Sequence, residues 1–138
     1  MDQHPGLKRS RQRGDAIVEF AILAPSLMLI LFGMLELGRV VDAWLVVHNA
    51  AREGARAGAL DYQNTATTAS NAAYAYLVSG FAPRRDIAAM SVPNVQVSTD
   101  TVQVTAAADV QVFTPWFQSL LGGTGSAHVQ MTAAMRRQ

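Results

Sequence analysis

The fold of this 138-residue chain is decided by one stretch, Arg13–Arg56, which reads RGDAIVEFAILAPSLMLILFGMLELGRVVDAWLVVHNAAREGAR. Its first part, Ala16–Leu37, is nearly all apolar. As a helix with a rise of roughly 1.5 Å per residue, this part is about 33 Å long, which is enough to cross the hydrocarbon core of a bilayer. We therefore predict that it forms a transmembrane helix.

Basic residues precede this helix and predict its orientation. Residues 1–14 contain four of them, Lys8, Arg9, Arg11 and Arg13. Pro5 and Gly6 disfavour a helix, so we predict a disordered basic leader. Positive flanks remain in the cytoplasm, and the rest of the chain is then expected to be translocated. A cleaved secretory signal is the alternative, but its apolar core would be shorter and would end in small residues of the A-x-A kind.

Three residues are unusual within the apolar stretch. Glu36 lies near its far end, where the carboxylate is expected to reach the membrane interface. Glu19 lies one turn inside the near end, where a carboxylate costs on the order of 2–3 kcal/mol. Glu19 either reaches the lipid headgroups or meets a positive group from another chain, and the sequence leaves both alternatives open. Pro25 removes one backbone hydrogen bond and is expected to kink the helix.

The helical pattern continues beyond the membrane span to about Gly58. Its apolar residues recur at three- and four-residue spacing on one face, namely Val40, Trp44, Val47, Ala51 and Ala55. Its polar residues share another face, namely Asp42, Asn49, Glu53 and Arg56. Trp44 is predicted to anchor the chain at the interface. A strip of small residues, Ala50, Gly54 and Gly58, permits close approach and packs either within the subunit or between subunits.

A second helix is predicted at Thr65–Ser79, with Gly80 closing it as a C-terminal glycine. A loop is expected at Phe81–Pro93. It contains a small charge cluster, Arg84, Arg85 and Asp86. We interpret this cluster as a solvated surface.

Alternating valines predict strands in the last third of the chain, around residues 95–97, 102–104, 110–112 and 129–135. With valines facing the helices, one antiparallel sheet is the simplest packing. The predicted fold class is α+β, with a long N-terminal helix, a short second helix and a small antiparallel sheet. We expect three parts: a basic cytoplasmic leader at 1–14, a transmembrane and continuing amphipathic helix at 15–58, and a small extracytoplasmic α+β domain at 59–138.

Groups that carry chemistry are scattered along the chain. The three histidines, His4, His48 and His128, fall in the leader, a helix and a strand without metal-ligand spacing. The aspartates of the predicted outer loops are Asp86, Asp100 and Asp109, which turn chemistry explains. The absence of cysteine excludes disulfides and thiolate metal sites. We predict no catalytic residue, metal or cofactor, and the net charge of +1 argues against a nucleic-acid partner.

The segment GDAIVEF at residues 14–20 resembles the processing site of type IV prepilins. The wider pattern resembles the TadE-like pseudopilins of the tight-adherence (Tad, or Flp) pilus system and covers about a third of the chain. The residues that carry it are Arg13-Gly14, Ala16–Phe20, Pro25, Gly33, Glu36, Gly38-Arg39 and residues 50–56.

This resemblance implies a minor pilin-like subunit of an adhesive pilus in the bacterial cytoplasmic (inner) membrane. Its processing site would comprise Gly14, Asp15, Glu19 and Phe20, with a prepilin peptidase cutting after the glycine. The helix would then pack against other pilin-like subunits and the assembly platform, through Glu19, Pro25, Ala50, Gly54 and Gly58. Asp15 departs from the small residue usual at its position, and we expect the extra acid to slow cleavage or weaken the pairing of Glu19 with a neighbouring amine.

Two alternatives of other classes remain open. One is an uncleaved, single-pass accessory or adaptor protein of a pilus or secretion apparatus. The other is a membrane-tethered binding domain that uses Trp116, Phe117 and the glycine-rich loop at Gly122 as a ligand surface.

Overall fold

The structure is a computed structural model that describes residues 8–113, 119 and 125–137, with side chains from residue 14 onward. Two helices precede three strands: α1 (Lys8–Leu60), α2 (Thr65–Phe81), β1 (Ile87–Val97), β2 (Thr101–Gln111) and β3 (Ser126–Arg136). The strands form one antiparallel sheet in the order β1-β2-β3. The predicted α+β fold is therefore confirmed.

The chain divides into two compact units, Met1–Leu35 and Glu36–Gln138. In the first unit, α1 is already helical at Lys8, so the predicted disordered leader is wrong for residues 8–14. Lysine, arginine and glutamine are good helix formers, and they extend a helix once the apolar stretch has formed it. The helix continues through Pro25.

The second unit places the C-terminal half of α1 and α2 against one face of the sheet. Its core contains alanines and valines of α1, Leu77 and Phe81 of α2, and alternate residues of β2. The central strand β2 is buried at Val102, Val104 and Val110. Valines facing the helices are thus confirmed for this strand.

The structure corrects two element boundaries of the prediction. Strand β1 begins at Ile87, within the predicted loop, and Pro93 falls where its register to β2 shifts between Ser91 and Asn94. A proline is tolerated there because an edge strand with an irregular register does not need its N–H. Helix α2 ends at Phe81, so Gly80 does not close it.

Trp44 is not part of the core face of α1. It is 40% exposed, and the fully buried Ala43 takes its place. The indole stacks on His48 with ring centroids 5.3 Å apart. Ala43 lies four residues before Val47 and Trp44 lies three residues before it. Both spacings are typical of one helix face, so the sequence pattern does not distinguish the two positions.

Candidate functional site

The four predicted processing residues, Gly14, Asp15, Glu19 and Phe20, lie on one exposed length of α1. Apart from the adjacent residues and the local helix backbone, no described atom lies within 4 Å of the Cβ position of Gly14, and Phe20 is 65% exposed. Among the side chains that the structure describes, none forms an ion pair with Glu19. The segment is therefore accessible to a second protein, and the Glu19 carboxylate has room for a partner.

An uncovered apolar surface follows along α1. In the first unit it includes nearly every side chain from Ile17 to Leu35. In the second unit, exposed apolar residues continue on the side of α1 that faces away from the core, namely Leu37, Val41, Trp44 and Leu45. Their spacing of three and four residues places them on one helix face. Water is a poor environment for such a surface, so lipid or other helices are expected to cover it.

The small-residue strip of α1 packs inside the second unit. Ala50, Gly54 and Gly58 are buried. A Cβ atom on Gly54 would lie 2.7 Å from Cβ of Ala73, and one on Gly58 would lie 2.7 Å from Cβ of Ala69. The strip thus lets α2 approach α1 closely. Of the two alternatives, the structure supports packing within the subunit.

A polar cluster joins α1 to the α2–β1 connection where the second unit begins. Arg39 donates to Glu36 Oε2 at 2.9 Å and to Asp86 Oδ2 at 3.0 Å. Arg84 donates to both oxygens of Asp86, at 3.0 and 2.7 Å, and to Asp42 Oδ2. Glu36 and Asp86 are only 5% and 8% exposed. Two buried carboxylates are therefore matched by two guanidinium groups, as buried charges require.

This cluster overturns one sequence-based interpretation. Asp86 is not a solvated charge, because Arg84 and Arg39 hydrogen-bond its carboxylate and hold its pKa well below the usual range. The same contact with Asp86 raises the pKa of Arg84. Glu36 is buried in the second unit, where Arg39 and the backbone N–H of Phe113 hydrogen-bond its carboxylate. The spacing of Glu36, Arg39 and Asp42 by three residues was the available signal, since it places all three on one side of α1.

The cluster also holds the end of β2. The backbone N–H of Phe113 donates to Glu36 Oε1 at 2.9 Å, and Arg39 donates to the carbonyl oxygen of Gln111 at 2.9 Å. The guanidinium carbon of Arg39 lies 4.2 Å from the centroid of the Phe113 ring, a cation–π distance. These contacts fix the point where the chain leaves the sheet beside the start of the second unit.

Other polar contacts lie apart from this cluster. Asp109 lies in β2 rather than in a loop and contacts His128 of β3 at 2.6 Å on an exposed face. Within the part of the chain that the structure describes, no group of three or more His, Cys, Asp or Glu residues is suited to hold a metal ion. Trp116, Phe117 and Gly122, which define the predicted ligand surface, lie outside the described residues.

Comparison with protein families gives a match within α1. Residues 14–56 match the family described as TadE-like protein. This segment of the chain is TadE-like. The match confirms the resemblance predicted from the sequence, and the TadE-like segment contains the exposed residues of the predicted processing site, the polar cluster residues of α1 and Gly54 of the small-residue strip. No curated protein and no solved structure matches the chain.

The family match bears on the broad function. It suggests a pilin-like protein that is associated with a Tad pilus and with other pilus components. Among the described residues, one helix is long and apolar enough to cross a membrane, with a mean hydropathy of 2.2 over its most apolar window. This TadE-like helix fits a single-pass membrane protein of a pilus system.

Proposed function

We propose that this protein is a minor pilin-like subunit of a Tad-type adhesive pilus, cut by a prepilin peptidase after Gly14 and packed into the assembly through α1. The observation that carries the proposal is the exposed apolar surface of α1 within a TadE-like segment. We assign residues 1–14 to a cytoplasmic leader, 15–58 to the membrane and assembly helix, and 59–138 to an extracytoplasmic domain.

In this mechanism, the apolar surface of α1 is covered first by lipid and later by neighbouring subunits. Before assembly, the hydrocarbon core of the cytoplasmic membrane covers it. Cleavage after Gly14 removes the four basic residues that hold the N-terminus on the cytoplasmic side. The helix is then drawn from the bilayer into a bundle, where the leucine, isoleucine and methionine side chains of neighbouring subunits replace lipid. Both environments are apolar, so the transfer requires little desolvation.

In this bundle, Glu19 determines the axial offset between neighbouring helices. Cleavage creates a new amino terminus at Asp15, and in the assembly that amine meets the Glu19 carboxylate of a neighbouring subunit. In a low-dielectric bundle an unpaired carboxylate is costly, so packing that leaves Glu19 unpaired is disfavoured relative to the matched register. The ion pair therefore selects one axial offset rather than adding much stability.

Processing is tested by intact-mass measurement of the membrane-extracted protein, expressed with and without an active prepilin peptidase. A new terminus at Asp15 is expected only with the peptidase, and Gly14→Leu should remain uncut. Asp15→Ser should be cut faster than the natural sequence, because it restores a small residue after the glycine. An uncut chain beside an active peptidase contradicts the proposal and favours the uncleaved accessory protein, the alternative to which Asp15 points.

The role of Glu19 is tested separately in a pilus-assembly assay. Glu19→Ala should insert in the membrane and be cleaved normally but should reduce assembly. The matched control is Glu53→Ala, since Glu53 is a glutamate of the same helix whose salt bridge is to Arg56 within the chain. Normal assembly of Glu19→Ala would show that pairing through Glu19 is not required.

A further inference from the structure

Phe113 is an exposed aromatic residue that is fixed to α1. Its side chain is 62% exposed. Its backbone N–H is bonded to Glu36, and its ring lies 4.2 Å from the guanidinium of Arg39. The ring therefore lies beside Glu36 and Arg39, although Phe113 is 77 residues from Glu36 in the sequence.

The position of Glu36 defines the depth of Phe113 relative to a membrane. The apolar run of α1 ends at Leu37, the residue after Glu36. If this run spans the bilayer, Phe113 lies at the boundary between hydrocarbon and headgroups. Trp44 lies seven residues after Leu37, roughly 10 Å further along α1, whereas Phe113 contacts the helix at the end of the apolar run itself.

A positive side chain accompanies the ring. Arg85 is exposed and lines the same shallow depression as Phe113. Its neighbour Arg84 is held by Asp42, which lies about five residues beyond the end of the apolar run. Arg85 is thus expected at headgroup depth, slightly further from the hydrocarbon than Phe113. An aromatic ring at the boundary and a cation among the phosphates are a combination suited to a bilayer surface.

We propose that Phe113 and Arg85 form a second contact with the bilayer interface, beside the point where α1 leaves the membrane. The occupant of this surface is the outer leaflet itself, with Arg85 contacting anionic phospholipid. The contact holds the outer domain in one orientation before assembly, and it is released when the helix is extracted. This inference rests on the membrane span in the proposed function.

The opposite end of the domain provides a matched control. Cγ1 of Val102, at the start of β2, lies 3.2 Å from the Cβ position of Gly58. Gly58 is about 22 residues beyond Glu36 on α1, which corresponds to roughly 33 Å along the helix. The turn at Ser98 that precedes β2 therefore lies at the end of the second unit that is remote from Glu36 and Phe113.

The experiment uses the full chain, which has no cysteine and therefore accepts single-cysteine labelling. Leu31→Cys, Phe113→Cys and Ser98→Cys are labelled with the fluorophore NBD and reconstituted in vesicles of phosphatidylcholine and phosphatidylglycerol, with or without doxyl-labelled lipid. The Phe113 substitution retains the bond to Glu36, because that bond uses the backbone N–H. Quenching by shallow doxyl groups is expected at position 113 and not at position 98, while deep doxyl groups quench at position 31.

The outcomes separate this inference from the proposed function. Loss of quenching at position 113 with quenching retained at position 31 overturns the second contact and leaves the span intact. Loss at position 31 overturns the span and the inference together. Adding Arg85→Gln to the Phe113→Cys protein should reduce quenching in vesicles containing phosphatidylglycerol and leave it unchanged in pure phosphatidylcholine. If Arg85→Gln leaves quenching at position 113 unchanged in both kinds of vesicle, Arg85 does not contact anionic phospholipid.

Discussion

Replacement of Gly54 by alanine tests the close packing of α1 on α2 and on the sheet. The added Cβ would lie 2.7 Å from Cβ of Ala73, 2.8 Å from the backbone oxygen of Ala69 and 3.2 Å from Cγ1 of Val104. Non-bonded carbon atoms prefer separations of about 3.5–4.0 Å. Rotation of a side chain cannot relieve the contact with the Ala69 oxygen, because that atom belongs to the backbone of α2. The two helices must therefore separate.

Two opposing terms determine the size of the effect. Alanine in a helix interior is favoured over glycine by about 1 kcal/mol. Overpacking of a close-packed core costs about 1–3 kcal/mol, and the backbone contact favours the upper part of this range. We expect a net loss of about 1–2 kcal/mol. For a domain of this size, such a loss lowers the melting temperature by about 5–10 °C.

The assay is thermal unfolding of the full chain in nanodiscs, combined with hydrogen exchange of the β2 amides. Exchange in β2 reports opening of the second unit without requiring the membrane part of α1 to unfold. The matched control is Gly38→Ala on the same helix, where no described atom lies within 4 Å of the Cβ position apart from the adjacent residues and the local helix backbone. That variant should be stabilised by about 0.5–1 kcal/mol. If the β2 amides of Gly54→Ala exchange as slowly as those of the natural sequence, or more slowly, the close-packing argument is wrong.

Three further predictions concern the same unit. Gly80→Ala should be destabilising, because its Cβ would lie 2.6 Å from Cγ1 of Val46, and a second change, Val46→Ala, should restore part of the loss in thermal unfolding. Arg84→Ala should cost about 2 kcal/mol, the contribution of hydrogen bonds to a charged group, whereas the exposed Arg85→Ala should stay within about 0.5 kcal/mol in the same assay. The lowered pKa of Asp86 predicts a stability contribution that is complete above about pH 4, its unfolded-state value, and is lost as the pH falls further. Denaturation at several pH values should show a shallower acid dependence for Asp86→Asn.

The sequence was most informative where a property depends on neighbouring residues. The length and apolar content of Ala16–Leu37 predict a membrane-spanning helix, because the cost of placing a helix in lipid is a sum over its own side chains. Alternation of valine with polar residues predicted β2 and β3, since the side-chain period of a strand is two. The motif from Gly14 to Arg56 was sufficient to predict the TadE-like resemblance that the family match confirms.

Where local signals competed, the prediction failed. Pro93 favoured a loop, yet pairing with β2 places it in a strand with a shifted register. Gly80 had the character of a helix terminator, yet it lies inside α2 against Val46. In both cases a tertiary contact outweighs a local preference of about 1 kcal/mol, as contacts in a packed core commonly do.

By itself, the sequence determined the long apolar helix, the fold class and the TadE-like segment, since each follows from composition and short spacing. Only the tertiary structure decided which charges are buried and which small residues are covered. Arg39 and Asp86 are 47 residues apart, and no local pattern indicates that they form an ion pair. Their pairing depends on α1 and the α2–β1 connection being adjacent in space, in a unit where α2 packs closely on α1 at Gly54 and Gly58. Burial of a charge is a property of the surrounding fold, because its cost depends on the water that other elements exclude.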